Sequence, residues 1–200
     1  MKKRIFWLDN LKGFLIFIVV LGHTILFTNT DGDSNLIYRY ISSFWMALFM
    51  FSSGFASYRP IPDLDVIPRR FKQLVIPFVV WSLILCFING HLQVWEYFIY
   101  PTKSVWFLWA LFCINSLVIL CCNIARKYNC VEELVCICVI VVLLLSSKLI
   151  SSDLFSFKLI CLHIVNFSIG YFSRKYFDQI INFPKALWYI GSFLFIIDII

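Results

Sequence analysis

A single histidine, His23, stands in an apolar run, preceded by Asp9 and Lys12 in the order Asp9-Asn10-Leu11-Lys12-Gly13, then FLIFIVVLG, then His23-Thr24. Imidazole is the side chain whose proton moves most readily near neutral pH, so a histidine facing a bound alcohol can act as a general base. Eleven residues separate Lys12 from His23. At about 100° per residue that comes within about 20° of three full turns, and the two lie about 16 Å apart along a helix axis. Asp9 and Lys12, three apart, are neighbours on the same surface. Asp9, Lys12 and His23 therefore form one stripe. At that distance Lys12 cannot stabilise an oxyanion beside His23. It either pairs with Asp9 or holds a remote anionic part of the same long ligand. The competing reading is structural: His23 bonds a neighbouring helix and Lys12 reaches for the membrane interface.

The elements that must position these residues are membrane helices. The 200-residue chain is 62% hydrophobic and only 14% charged, with a mean hydropathy of +0.88. Its charges cluster between long apolar runs, whereas a soluble domain spreads them along amphipathic helices. The sequence shows no repeat, no linker and no alternating strand pattern, so a β-barrel is disfavoured. Apolar segments fall near 11–29, 40–58, 73–90, 105–123, 133–150, 154–173 and 185–200. Each approaches the roughly 20 residues that cross a bilayer. The fold class expected is an all-α polytopic membrane bundle of about seven spans. A helix starting near Gly13 puts His23 roughly 15 Å further on, half-way through a hydrocarbon core of about 30 Å. An ionisable ring at that depth faces a partner, a cavity or a substrate, and burial disfavours the charged form of an imidazole.

Lys and Arg set the orientation. With the N-terminus in the cytoplasm, Lys2, Lys3, Arg4, Lys12, Arg59, Arg69, Arg70, Lys72, Arg126, Lys127, Arg174, Lys175 and Lys185 lie inside, against Arg39, Lys103, Lys148 and Lys158 outside. This excess predicts N-inside. The net charge of +6 thus reflects membrane topology, and nucleic acid is not an expected partner. The N-terminus has the basic start of a signal peptide, but its long apolar run without a small-residue cleavage site reads as an uncleaved first span.

Eight cysteines, mostly inside apolar runs, read as small hydrophobes in helix packing, with no metal site expected. Ser53 and Gly54 read as a close-packing pair, and Trp106 and Trp109 as interfacial anchors. His91 reads as a loop residue. His163, near Asn166, reads as packed and hydrogen-bonded, with cavity lining as the alternative. Asn115 and Asp198 are polar points inside spans without an assigned role. The sequence closes inside an apolar run, GSFLFIIDII, which suggests a fragment or a shortened relative of a longer protein.

Several of these patches coincide with those of a known family. The stretch Arg4-IFWLDNLKGFLIFIVVLGH-Thr24 resembles the first span of the acyltransferase family 3 membrane proteins, in the branch of fucose 4-O-acetylase-like and polysaccharide O-acetyltransferases. Asp9, Lys12, Gly13, Gly22 and His23 fall in register with its pattern. FWMALFMFSSGF, Phe44 to Phe55, resembles a second patch, with Met46, Leu48, Phe49, Ser53, Gly54 and Phe55 matching. Trp45 stands there in place of the usual His, and Ala47 in place of Pro. Arg69-Arg70-Phe71-Lys72-Gln73-Leu74-Val75-Ile76-Pro77 resembles the basic entry to the third span. Trp106-Phe107-Leu108 and Gly170-Tyr171 match further patches.

The resemblance implies an O-acyltransferase that moves an acetyl group from acetyl-CoA, or another acyl-CoA, to a hydroxyl of a carbohydrate or glycolipid acceptor. The setting it implies is a multi-pass position in the bacterial inner membrane. It also implies that residues 1–200 are the N-terminal part of a fold of roughly ten spans of about 20 residues each. By the same resemblance His23 matches the catalytic histidine and Lys12 a basic partner that is more often Arg. That exchange keeps the charge but loses a bidentate fork. Arg69, Arg70 and Lys72 suit the phosphates of the acyl-CoA. Two other readings compete: a carrier of sugar or lipid-linked intermediates with His23 as proton relay, and an inactive remnant. Against the carrier, the sequence lacks the paired broken helices of transporters.

Overall fold

The computed structural model describes residues 5–28, 35–61, 64–90, 94–150 and 154–181. Every regular element among the described residues is helical. Helix α1 is Phe6–Thr28 and α2 is Leu36–Ser57. Helix α3, Val66–Arg70, continues through a π-helical turn at Phe71–Val75 into α4, Ile76–Ile88. Then come α5 (Val94–Ile99), α6 (Trp106–Lys127), α7 (Glu132–Leu149), α8 (Phe157–Lys175) and α9 (Phe177–Ile181).

Six of the seven apolar segments coincide with helices, with boundaries displaced by a few residues. Among the described residues four stretches are long and apolar enough to cross a membrane: Phe6–Leu26, Val66–Ile88, Trp106–Lys127 and Leu154–Lys175. Length and composition thus support, among the described residues, four of the seven expected spans. Helix α7 carries three charged residues, Glu132, Glu133 and Lys148, and α2 carries Arg39 and five serines. The segment 185–200 with Asp198, together with Lys185 and His91, lies outside the described residues. Large apolar side chains such as Phe14, Phe17, Leu83, Phe87, Val142 and Leu162 are exposed around the bundle. This many outward apolar residues suits a lipid solvent, and the chain is a membrane protein.

Two glycines set the closest helix contact. A Cβ on Gly54 of α2 would sit 2.0 Å from the carbonyl oxygen of Phe167. A Cβ on Gly170 of α8 would sit 2.0 Å from that of Phe51. The reciprocal notch lets the two backbones touch, as small residues do between membrane helices. Around it lies a core of Met50, Ala110, Ile114, Ile164, Phe167 and Tyr171 from α2, α6 and α8. Cys121, Cys122 and Cys136 fill the seam between α6 and α7, and Cys86 and Cys161 are also buried, so five cysteines act as compact apolar residues.

The π-helical turn has a local cause. Pro77 lacks an N–H, and its ring crowds the carbonyl of Gln73, so the turn before it widens. Arg70 is half-buried, while Arg69 and Lys72 are exposed.

The basic ends of the helices gather on one side of the bundle. Arg126 pairs with Glu132 and donates to the carbonyl of Pro60. Lys175 bridges Glu132 at 3.0 Å and Glu133 at 2.7 Å. The Arg174 guanidinium lies 5.3 Å from the Phe55 ring and 5.2 Å from that of Phe177. Glu132 lies outside the apolar stretch of α7. Desolvation pushes its carboxyl up, but hydrogen bonds and charge from Arg126 and Lys175 outweigh that and hold it below the usual carboxylate range.

Candidate active site

Helix α1 begins at Phe6, five residues ahead of the apolar run read from sequence, so His23 lies about 26 Å along a helix of about 35 Å. It therefore sits beyond the middle, toward the end opposite the basic cluster. Its side chain is exposed within the chain, where the sequence predicted burial. It lines an open groove of about 640 Å3. The walls come from four directions: Ile16, Val19 and Val20 of α1, Met46 and Phe49 of α2, Trp81 and Leu85 of α4, and residues 104–108 leading into α6. The lining is mainly apolar and aromatic, with His23 and Ser104 as its polar side chains. Ser104 is held by a 2.8 Å hydrogen bond to the buried Ser82.

The imidazole has an aromatic neighbour behind it. The Trp45 ring lies 5.6 Å from that of His23, tilted by 36°, and is buried with Ile18 and Ile41. Gly22 makes this possible: a Cβ there would stand 2.1 Å from Trp45 Cζ3. The Gly22-His23 pair is thus one device, the glycine admitting the indole and the indole backing the imidazole. From the sequence alone Trp45 is only a departure from a pattern. Its contact with His23 follows from how α1 and α2 cross.

Lys12 does not share the groove. It is half-buried and lines a separate pocket of about 160 Å3 with Ser53, Ala56, Ser57, Arg70, Leu74, Leu111 and Asn115. Asp9 is exposed and attracts the Lys12 ammonium, while Arg70 repels it. Arg70 Nη2 donates to Ser57 Oγ at 3.3 Å, and Asn115 Nδ2 donates to the same oxygen at 2.9 Å. The three basic residues of the third-span entry are therefore separated: Arg70 turns inward to Lys12, and Arg69 and Lys72 stay at the surface. Groove and pocket are both walled by α2, α6 and the α3–α4 segment, so Lys12 and His23 face the same neighbouring helices, while Asp9 stays exposed.

Three residues read as anchors or packing have more specific places. Trp106 walls the groove, and its other contact is the His163 ring, stacked at 5.6 Å and 17°. His163 is buried behind that wall, its Nδ1 without a hydrogen-bond partner, so it stacks and does not line the groove. Trp109 donates to the carbonyl of Phe155 at 3.1 Å. Asn115, given no role by the sequence, turns out to be a wall of the Lys12 pocket. The only signal for it was an amide inside an apolar run. Among the described residues no cluster of three or more His, Cys, Asp or Glu is placed to hold a metal ion.

No curated protein and no solved structure matches the chain. The family model for an acyltransferase domain, that of acyltransferase family 3, matches residues 5–198, and the chain belongs to that family.

Proposed function

We propose that this family 3 acyltransferase moves an acetyl or other short acyl group from acyl-CoA to a hydroxyl of a carbohydrate or glycolipid, in a bacterial cell membrane with its basic end in the cytoplasm. The single observation that carries the reading is His23 lining a groove that can hold an acceptor. An alcohol is a weak nucleophile at neutral pH. His23 takes its proton as the oxygen attacks the thioester carbon, and the carbon–sulfur bond breaks to leave an ester and a free thiol. The aromatic faces of Phe49, Trp81, Trp106 and Phe107 offer an apolar bed for a sugar ring or a lipid-linked acceptor.

The donor enters from the opposite end. Coenzyme A is polyanionic, and Arg69, Arg70 and Lys72 suit its phosphates. Lys12 stands about 16 Å before His23 along α1, so it serves the donor's arm and not the reacting carbon. Asp9 attracts the Lys12 ammonium from the same helix face.

The test is acyl transfer by membranes containing the protein, supplied with radiolabelled acetyl-CoA and surface glycan. The wild type should label the glycan in alkali-labile form, and the His23→Ala variant, present at equal level, should not. Equal labelling by the two proteins would reject His23 as the base.

A further inference from the structure

The pocket beneath Lys12 has a hydrogen-bonding pattern that specifies more than an anion. Asn115 is 3% exposed, and its Nδ2 is used on Ser57. Its Oδ1 is buried without a partner. A buried carbonyl left unpaired is costly, and Asn115 lines the pocket, so a donor from what fills it would satisfy this oxygen. Ser57 Oγ accepts from both Asn115 and Arg70. A hydroxyl has two lone pairs and one hydrogen, so the Ser57 O–H remains to donate. The pocket therefore offers one acceptor, one donor and two cations, Lys12 and Arg70. No carboxylate is among its lining residues.

A secondary amide matches the first two: its N–H meets Asn115 Oδ1 and its carbonyl meets the Ser57 hydroxyl. A phosphate a few bonds away matches the two cations. The volume of about 160 Å3 equals roughly five waters at about 30 Å3 each, room for an amide and its neighbours and too little for a nucleotide.

We infer that Asn115 and Ser57 form an amide-binding subsite for the phosphate-linked, amide-containing arm of the acyl donor. They select donors that carry this arm over short thioesters that lack it. The inference rests on the acyl-CoA reading above. The arm's chemistry accounts for an asparagine in a membrane helix and for a lysine too distant to touch the reaction.

The experiment compares two donors with the full chain in membranes: acetyl-CoA, and S-acetyl-N-acetylcysteamine, which has neither the phosphate nor the amide nearest to it. Asn115→Leu should lower the ratio of kcat/KM for acetyl-CoA to that for the short donor about tenfold. It should also raise the Kd for CoA about tenfold by calorimetry on purified protein. Asn115→Ser, which keeps a small polar side chain and is a milder insult to folding, should shift both in the same direction. A purely structural role would depress both donors alike and leave the ratio where it was. Wild-type binding of CoA with an unchanged ratio and Kd in both variants would overturn the inference alone. Failure of the wild type to bind CoA would overturn the donor reading, and the subsite with it.

Discussion

Replacing Gly22 by Ala sets two known effects against each other. Alanine in a helix interior is favoured over glycine by about 0.5–1 kcal/mol, so α1 alone would gain. The new Cβ, however, would meet Trp45 Cζ3 at 2.1 Å and Cη2 at 2.6 Å, where ordinary contact begins at 3.4 Å. The shortfall is about 1.3 Å, and a tryptophan packed between α1 and α2 has few other rotamers to take. Overpacking of this kind costs about 1–3 kcal/mol, so the clash wins and Gly22→Ala is destabilising. The same displacement reaches the site, because Trp45 backs the His23 ring. A shift near 1 Å of a catalytic group lowers rates by about 100-fold.

Gly13→Ala is the internal control. Nothing lies within 4 Å of a Cβ there, so it should stabilise by about 0.5–1 kcal/mol and leave activity intact. Thermal unfolding of purified protein and acyl transfer from radiolabelled acetyl-CoA read both variants. Trp45→Phe in the Gly22→Ala background shortens the clashing ring and should recover part of both losses, a coupling that a double-mutant cycle isolates. If Gly22→Ala unfolds at or above the wild-type temperature with full activity, the seating of Trp45 against α1 is refuted.

Gly54→Ala and Gly170→Ala should destabilise more than Gly22→Ala, because each Cβ meets a backbone carbonyl 2.0 Å away that cannot rotate aside; unfolding midpoints in one detergent rank the three. Arg70→Ala removes one of the two cations of the Lys12 pocket and should weaken CoA binding about tenfold by calorimetry without changing the unfolding midpoint by more than a few degrees. Glu132 is held below the usual carboxylate range by Arg126 and Lys175. Its contribution to stability is complete above the unfolded-state carboxylate value of about 4.3 and is lost as pH falls through its lower folded value. The gap in unfolding midpoint between wild type and Glu132→Gln should therefore hold from pH 7 to 5 and close below pH 4.

The sequence by itself determined the solvent and the elements. Apolar runs of bilayer length can satisfy their backbone only as helices, and six of those runs are helices. Periodicity put Lys12 and His23 on one stripe, and the basic clusters named the ends that the structure gathers together, since both follow from spacing along one chain. The full span count did not follow from length alone, since α7 carries three charged residues and α2 an arginine and five serines. Which residues stand beside His23 did not follow either. Trp45 reaches it only because α1 and α2 cross at Gly22, and Arg70 meets Lys12 in a pocket built from four segments of the chain. Asn115 becomes a pocket wall through its bond to Ser57, fifty-eight residues earlier. Contacts of that kind depend on how helices distant in sequence are packed, and spacing within a single helix carries no record of it.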